Sequence, residues 1–182
     1  MLTKKVKTID TIFFEEYMYP YSRNSLKLVA ALSCIVFSLP AYAVCPSEPT
    51  AQRFSLNGAE VVDAATGLVW ARCSIGQGWV GNGCSGTPAQ YTHEQALEIA
   101  KSTNGWRLPN VKELASIIDR GCFQPAIDTV AFPSSGGVYW TSSPFNGAGG
   151  PGAWLVDFVY GYASYYIYRS LLLNIRLVRS TQ

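Results

Sequence analysis

The 182-residue chain has one histidine and two methionines, and only 14% of its residues are charged. His93 alone cannot supply a histidine-rich metal site or a histidine pair for proton transfer. At the first position after a helix cap it is expected to be solvated, with a metal or catalytic role disfavoured. An excess of charge of either sign is also missing once the chain is divided near residue 43. Five of the fourteen basic residues and three of the twelve acidic ones precede that point, leaving nine of each sign after it. Balanced charge gives no electrostatic footprint for a nucleic-acid partner, so none is expected. The cysteines show no C-x-x-C spacing, which disfavours the rival zinc reading. The carboxylates contain no D-x-D-x-D-G run, and a calcium site assembled across the fold would leave no spacing to read. No metal and no cofactor is expected. Long apolar runs are absent as well: LVAALSCIVFSL, residues 28–39, is too short to span a bilayer.

That run follows Arg23 and Lys27 and precedes Pro40 and Ala41-Tyr42-Ala43, the layout of a secretory signal with cleavage after Ala43. Residues 1–43 are therefore expected to be leader and signal peptide, with the segment before Met18 an extension. Residues 44–182 are expected to form a single exported domain that meets the membrane only through its signal. A retained membrane helix is the alternative. Export suits the four remaining cysteines, which predict two disulfides. Cys73 and Cys84 flank a glycine-rich loop, so the expected pairing is Cys73 with Cys84 and Cys45 with Cys122.

Residues 58–73 read as a β-hairpin, with Val61-Val62 and Leu68-Val69-Trp70 on either side of a turn ending at Gly67. Thr92 with Gln95 and Asn110 with Glu113 each form a capping box. They open a helix over about 93–102 and a second in which Val111, Leu114, Ala115 and Ile118 share one face, with Pro109 keeping the two apart. Residues 138–143, 153–161 and 174–180 are strand candidates, and FNGAGGPG between the first two reads as a loop. The class is α+β without βαβ alternation. Trp70, Trp106, Trp140 and Trp154 are expected core anchors, whereas Trp79, inside the disulfide loop, is a candidate surface contact. Arg107 is expected to pair with a carboxylate or cap a carbonyl, with binding of a sulfate or carboxylate as the alternative.

TGLVWARC, the AL of the first helix, GWRLPNVKEL, FP, YWTSS, AWLVDF and IRLVR, taken in this order over Phe54 to Arg179, resemble the Lcl C-terminal domain family. The resemblance implies a variant of the C-type-lectin fold, related to formylglycine-generating enzymes, with two helices flanking a twisted antiparallel sheet. It also implies an extracytoplasmic protein concerned with adhesion and ligand binding. Target proteins of diversity-generating retroelements use the same fold. In them, miscopied adenines scatter AAC and AAT codons through a C-terminal variable region, which then never encodes Lys, Glu, Gln, Met or Trp. Residues 157–174 contain none of those five, between AWLVDF and IRLVR.

The same segment carries the densest side-chain area in the chain, YGYASYYIYRSLLLN, Tyr160 to Asn174, with five tyrosines and three consecutive leucines. Large side chains fall on both faces of any extended form. Burying them would require a partner for every tyrosine hydroxyl, at about 1–3 kcal/mol for each one left unpaired. Tyrosine presented to a partner gives broad, stiff contact area with a polar tip, as in antibody loops. Tyr160, Tyr162, Ser164, Tyr165, Tyr166, Ile167, Tyr168, Ser170, Leu171, Leu172 and Asn174 are thus expected to contain a binding surface for a protein or glycan at a cell surface. A buried aromatic strand is the alternative. The expected function is non-enzymatic ligand binding. The alternatives are a fixed adhesin for glycans or sulfated polysaccharides, and a cysteine-dependent enzyme resembling the formylglycine-generating relatives.

Overall fold

The computed structural model describes Cys45 and residues 49–147, 149–166 and 168–181. The expected signal peptide, its cleavage site and Ile167 lie outside the described residues. A four-residue helix α1 (Thr50–Arg53) leads into strands β1 (Phe54–Asn57), β2 (Glu60–Asp63) and β3 (Leu68–Ala71). A short ribbon β4 (Gly78–Trp79) and β5 (Cys84–Ser85) follows, then helices α2 (His93–Ser102) and α3 (Val111–Ser116). Strands β6 (Val138–Gly147), β7 (Gly150–Asp157), β8 (Tyr162–Tyr166) and β9 (Val178–Ser180) complete the order. The class is α+β with antiparallel ladders throughout the named strands.

The expected hairpin at 58–73 is β2–β3, with β1 and β9 on either side in the order β1-β2-β3-β9. Its turn is organised by Asp63. One carboxylate oxygen receives the Ala65 N–H, the other the Thr66 hydroxyl, and both receive Arg53. Burial by itself would raise the Asp63 pKa, but the hydrogen bonds from Arg53 and Thr66 outweigh it and hold the carboxyl below its ordinary value. Both capping boxes form, Thr92 with Gln95 and Asn110 with Glu113, so two helix starts were encoded by local side chains alone.

The second sheet runs β6-β7-β8. Residues alternate along its strands, so Tyr139 and Val156 enter a core with Phe54, Trp70, Leu114 and Phe132, while Trp140, Ala153 and Leu155 enter another with Ala96, Leu108 and Ile175. β6 and the central β7 thus bury residues on both faces, whereas β8 is an edge strand. FNGAGGPG is not a loop. It forms the end of the β6–β7 ladder, pairing Phe145 with Gly152 and Gly147 with Gly150, and it follows a register shift between Trp140 and Pro144. The closing run shortens in the opposite sense, because only Val178–Ser180 is strand. Upstream of it the Ile75 N–H reaches the Ile175 carbonyl and the Ala71 N–H the Leu177 carbonyl, and at its first residue Val178 exchanges two backbone bonds with Arg107.

Both expected disulfides form, Cys45–Cys122 and Cys73–Cys84. Among the described residues no helix is long and apolar enough to cross a membrane.

Candidate functional site

Segment 157–174 is held by its backbone and by one arginine. At its start the Asp157 carboxylate accepts the Val159 and Tyr160 N–H groups, forming the turn from β7 to β8. Gly161 closes that turn at φ +74°, and a Cβ there would stand 2.8 Å from the Ala126 methyl, so the position requires glycine. β8 then pairs with β7, Tyr162 opposite Asp157 and Tyr166 opposite Ala153. Farther on, Arg169 donates from Nε and Nη2 to the Gly152 carbonyl at 2.9 and 2.7 Å. Leu173 exchanges backbone bonds with Tyr91, and Asn174 bonds Val138 and Trp140 through its backbone.

The side chains on this frame point largely to solvent. The five tyrosines retain between 44% (Tyr166) and 60% (Tyr168) of their accessible surface, and Leu172 retains 56%. Ser170 and Leu171 are exposed and Ser164 is half-buried. Asn174 is the exception among the expected binding residues. It is buried, because its backbone bridges to the sheet and its amide nitrogen packs close to Gly137, so it does not share the surface. The contrast with Tyr139 is instructive: that ring is fully buried, and its hydroxyl is paired with the Ser74 Oγ at 2.8 Å.

The two faces of β8 differ. On one, the Tyr165 ring stacks on Phe145 with centroids 3.7 Å apart and planes within 11°, and Trp154 meets both edge-on. On the other, Tyr162 and Tyr166 line a cleft of about 270 Å³ together with Leu155, Leu171, Leu173 and Asp157. Partial burial, and then the charge and hydrogen bond of Asp157, raise the Tyr162 phenol above its ordinary pKa. Tyr160 stacks toward Tyr162, and Phe123, 67% exposed, extends the aromatic patch beyond the segment. Neither exposed Phe123 nor half-buried Phe145 sits in a patterned run, so the chain carries no local signal for them. Trp154, expected in the core, is only partly buried.

The remaining candidates have structural partners. Arg107 forms a two-pronged pair with Glu113 at 2.7 Å for each bond; this raises the Arg107 pKa and lowers that of Glu113. Trp106 is partly buried beneath Arg179, and Trp79 lies 4.0 Å from the Arg72 guanidinium. Trp70 and Trp140 are fully buried. His93 corrects the expectation of a solvated helix start. It is 3% exposed, packs edge-on to Trp140, and its Nε2 donates to the Thr141 carbonyl at 2.9 Å. Burial depresses its pKa, the Thr141 bond opposes this, and the Arg169 charge adds to the depression.

The unfolded chain therefore takes up this proton first as pH falls. The contribution of neutral His93 is complete above about pH 6.5 and is lost as pH drops from there toward the folded-state pKa, by at most about 1.4 kcal/mol per pH unit. Urea midpoints measured between pH 7.5 and 5 should decline, and His93→Gln should flatten that decline. An unchanged slope would contradict it.

Among the described residues no group of three His, Cys, Asp or Glu side chains is placed to hold a metal ion. The arrangement is that of a two-disulfide α+β domain presenting an aromatic edge strand. The chain belongs to the Lcl C-terminal domain family, whose model matches residues 59–179. No curated protein and no solved structure matches it.

Proposed function

We propose that this is an exported, non-enzymatic binding protein whose recognition surface is the outward-facing side of residues 160–172 on a C-type-lectin-like scaffold. The observation that carries this reading is the exposure of five tyrosines on a segment fastened by its backbone. A contact surface is ready before the ligand arrives, so little side-chain freedom is lost on binding. Both disulfides suit an oxidising compartment and support export. They also engage the four cysteines after residue 44, which disfavours thiol chemistry of the formylglycine-generating kind. A sulfated-polysaccharide adhesin would need a cluster of free cations, yet of the arginines near the C-terminus Arg169 is committed to the Gly152 carbonyl, Arg176 is buried and Arg179 is paired with Glu60. Diversification of the segment fits a frame that reads backbone and, apart from Gly161 and Arg169, leaves the exposed side chains unread.

Replacing Tyr165, Tyr166 and Tyr168 together by serine is expected to lower stability by less than about 2 kcal/mol, most of it the lost Phe145–Tyr165 stack. Collapse of the fold in a thermal melt would restore the buried-strand alternative. A neighbouring reverse transcriptase gene, with a near-copy of the 3′ coding end differing at adenines, would test diversification; a flank without both would remove it.

A further inference from the structure

The cleft under β8 has a floor and walls of different chemistry. Leu155, Leu171 and Leu173 are apolar, Tyr162 and Tyr166 give aromatic walls, and the charged group is Asp157. The Asp157 residue is 6% exposed, and its Oδ1 accepts two backbone N–H groups, at 2.7 Å from Val159 and 3.3 Å from Tyr160. An ionised carboxylate has about four acceptor sites, so the bonds from Val159, Tyr160 and the Tyr162 hydroxyl leave one for a further donor. Among the described residues no basic side chain lies within ion-pair distance of it, since the three ion pairs found there involve Asp63, Glu113 and Glu60. The nearest arginine in sequence on this segment, Arg169, is committed to Gly152. A volume of about 270 Å³ falls below the range of roughly 300–1,000 Å³ for drug-sized ligands and suits a single side chain.

We infer that this cleft receives a lysine or arginine side chain of a protein partner, its stem along Leu155, Leu171 and Leu173 and its cation between the Asp157 carboxylate and the rings of Tyr162 and Tyr166. Such a cation gains a charge-assisted hydrogen bond and attraction to the ring faces in a partly desolvated site. The inference rests on the recognition surface proposed above and names the chemistry at its centre.

The test uses the folded, oxidised domain and the pentapeptide Gly-Gly-Lys-Gly-Gly, acetylated at its N-terminus and amidated at its C-terminus, followed by NMR of the Leu171 and Leu173 methyl groups. Saturable shifts are expected. The norleucine peptide, which keeps the stem and lacks the ammonium, should bind at least tenfold more weakly. Asp157→Asn retains the Oδ1 acceptor for the turn and should also weaken binding at least tenfold. Should that variant melt early, Tyr166→Ser serves as the second variant with an expected loss of at least threefold. Val80→Ser, exposed beside the β4–β5 ribbon and away from the cleft, should leave affinity unchanged. Absence of saturation, equal binding of the norleucine peptide, unchanged affinity in both cleft variants, or a peptide no tighter than n-butylammonium would each overturn the inference. None of those results touches the recognition surface itself, which stands or falls on the serine triple variant and its melt.

Discussion

Arg176→Leu is expected to unfold most of the protein or to shift its denaturation midpoint by at least about 3 kcal/mol. The side chain is fully buried. One terminal nitrogen donates to the Ala71 and Arg72 carbonyls and the other to the Ser74 and Ser135 hydroxyls, with the guanidinium over the Phe132 and Tyr139 rings. Burial pushes its pKa down and Tyr139 opposes that, but a guanidinium stays protonated in any protein interior. Exchanging a buried ion pair for apolar residues is often harmless, because both charges leave together. Here two of the four acceptors are backbone carbonyls that cannot leave, so leucine orphans them at about 1–3 kcal/mol each, against a total stability of about 5–15 kcal/mol. Arg176→Lys should recover little, since an ammonium cannot reach two carbonyls and two hydroxyls with a planar fork. A leucine variant with a wild-type midpoint in guanidinium chloride would refute this account.

The second large effect is expected from the longer disulfide. Cys45–Cys122 spans 77 residues and Cys73–Cys84 spans 11. On the chain-entropy model these closures stabilise by about 4.5 and about 3 kcal/mol, so the paired serine variant at 45 and 122 should be the less stable of the two. The longer bridge also joins residues remote in sequence, whereas β4 and β5 already pair between Cys73 and Cys84 and recover part of the short loop's order. Equilibrium urea unfolding of the two double-serine variants checks the order. A reversed order would show that the short bridge carries native contacts which outweigh loop length.

What was legible in the chain was local chemistry. The Asp63 turn, the two capping boxes and the Pro109 break each depend on residues within a few positions of one another, and all are present. The disulfide pairing followed from one short loop. The β6–β7 end was missed because FNGAGGPG has the composition of a turn, while its pairing is decided by a ladder begun several residues earlier at Val138. His93 was misjudged for a related reason: a helix start is solvated until something packs over it, and Trp140 lies 47 positions farther along the chain. For the exposed segment, the excess of tyrosine over any plausible supply of buried hydroxyl partners pointed outward correctly. That argument could not separate Asn174 from its neighbours, since asparagine is equally at home bonding a backbone or facing water.

The position of β9 has a consequence for synthesis. The last described strand lies beside β3, and the residues just before it deliver Arg176 to carbonyls more than a hundred positions upstream. A chain cut short anywhere before Val178 leaves the Trp70 strand paired on the β2 side alone, and one cut before Arg176 also lacks the donor for the Ala71 and Arg72 carbonyls. Such fragments have no complete interior to settle into. Whatever residues occupy 160–172, a product that ends before Arg176 lacks both contacts and is expected to be lost to misfolding.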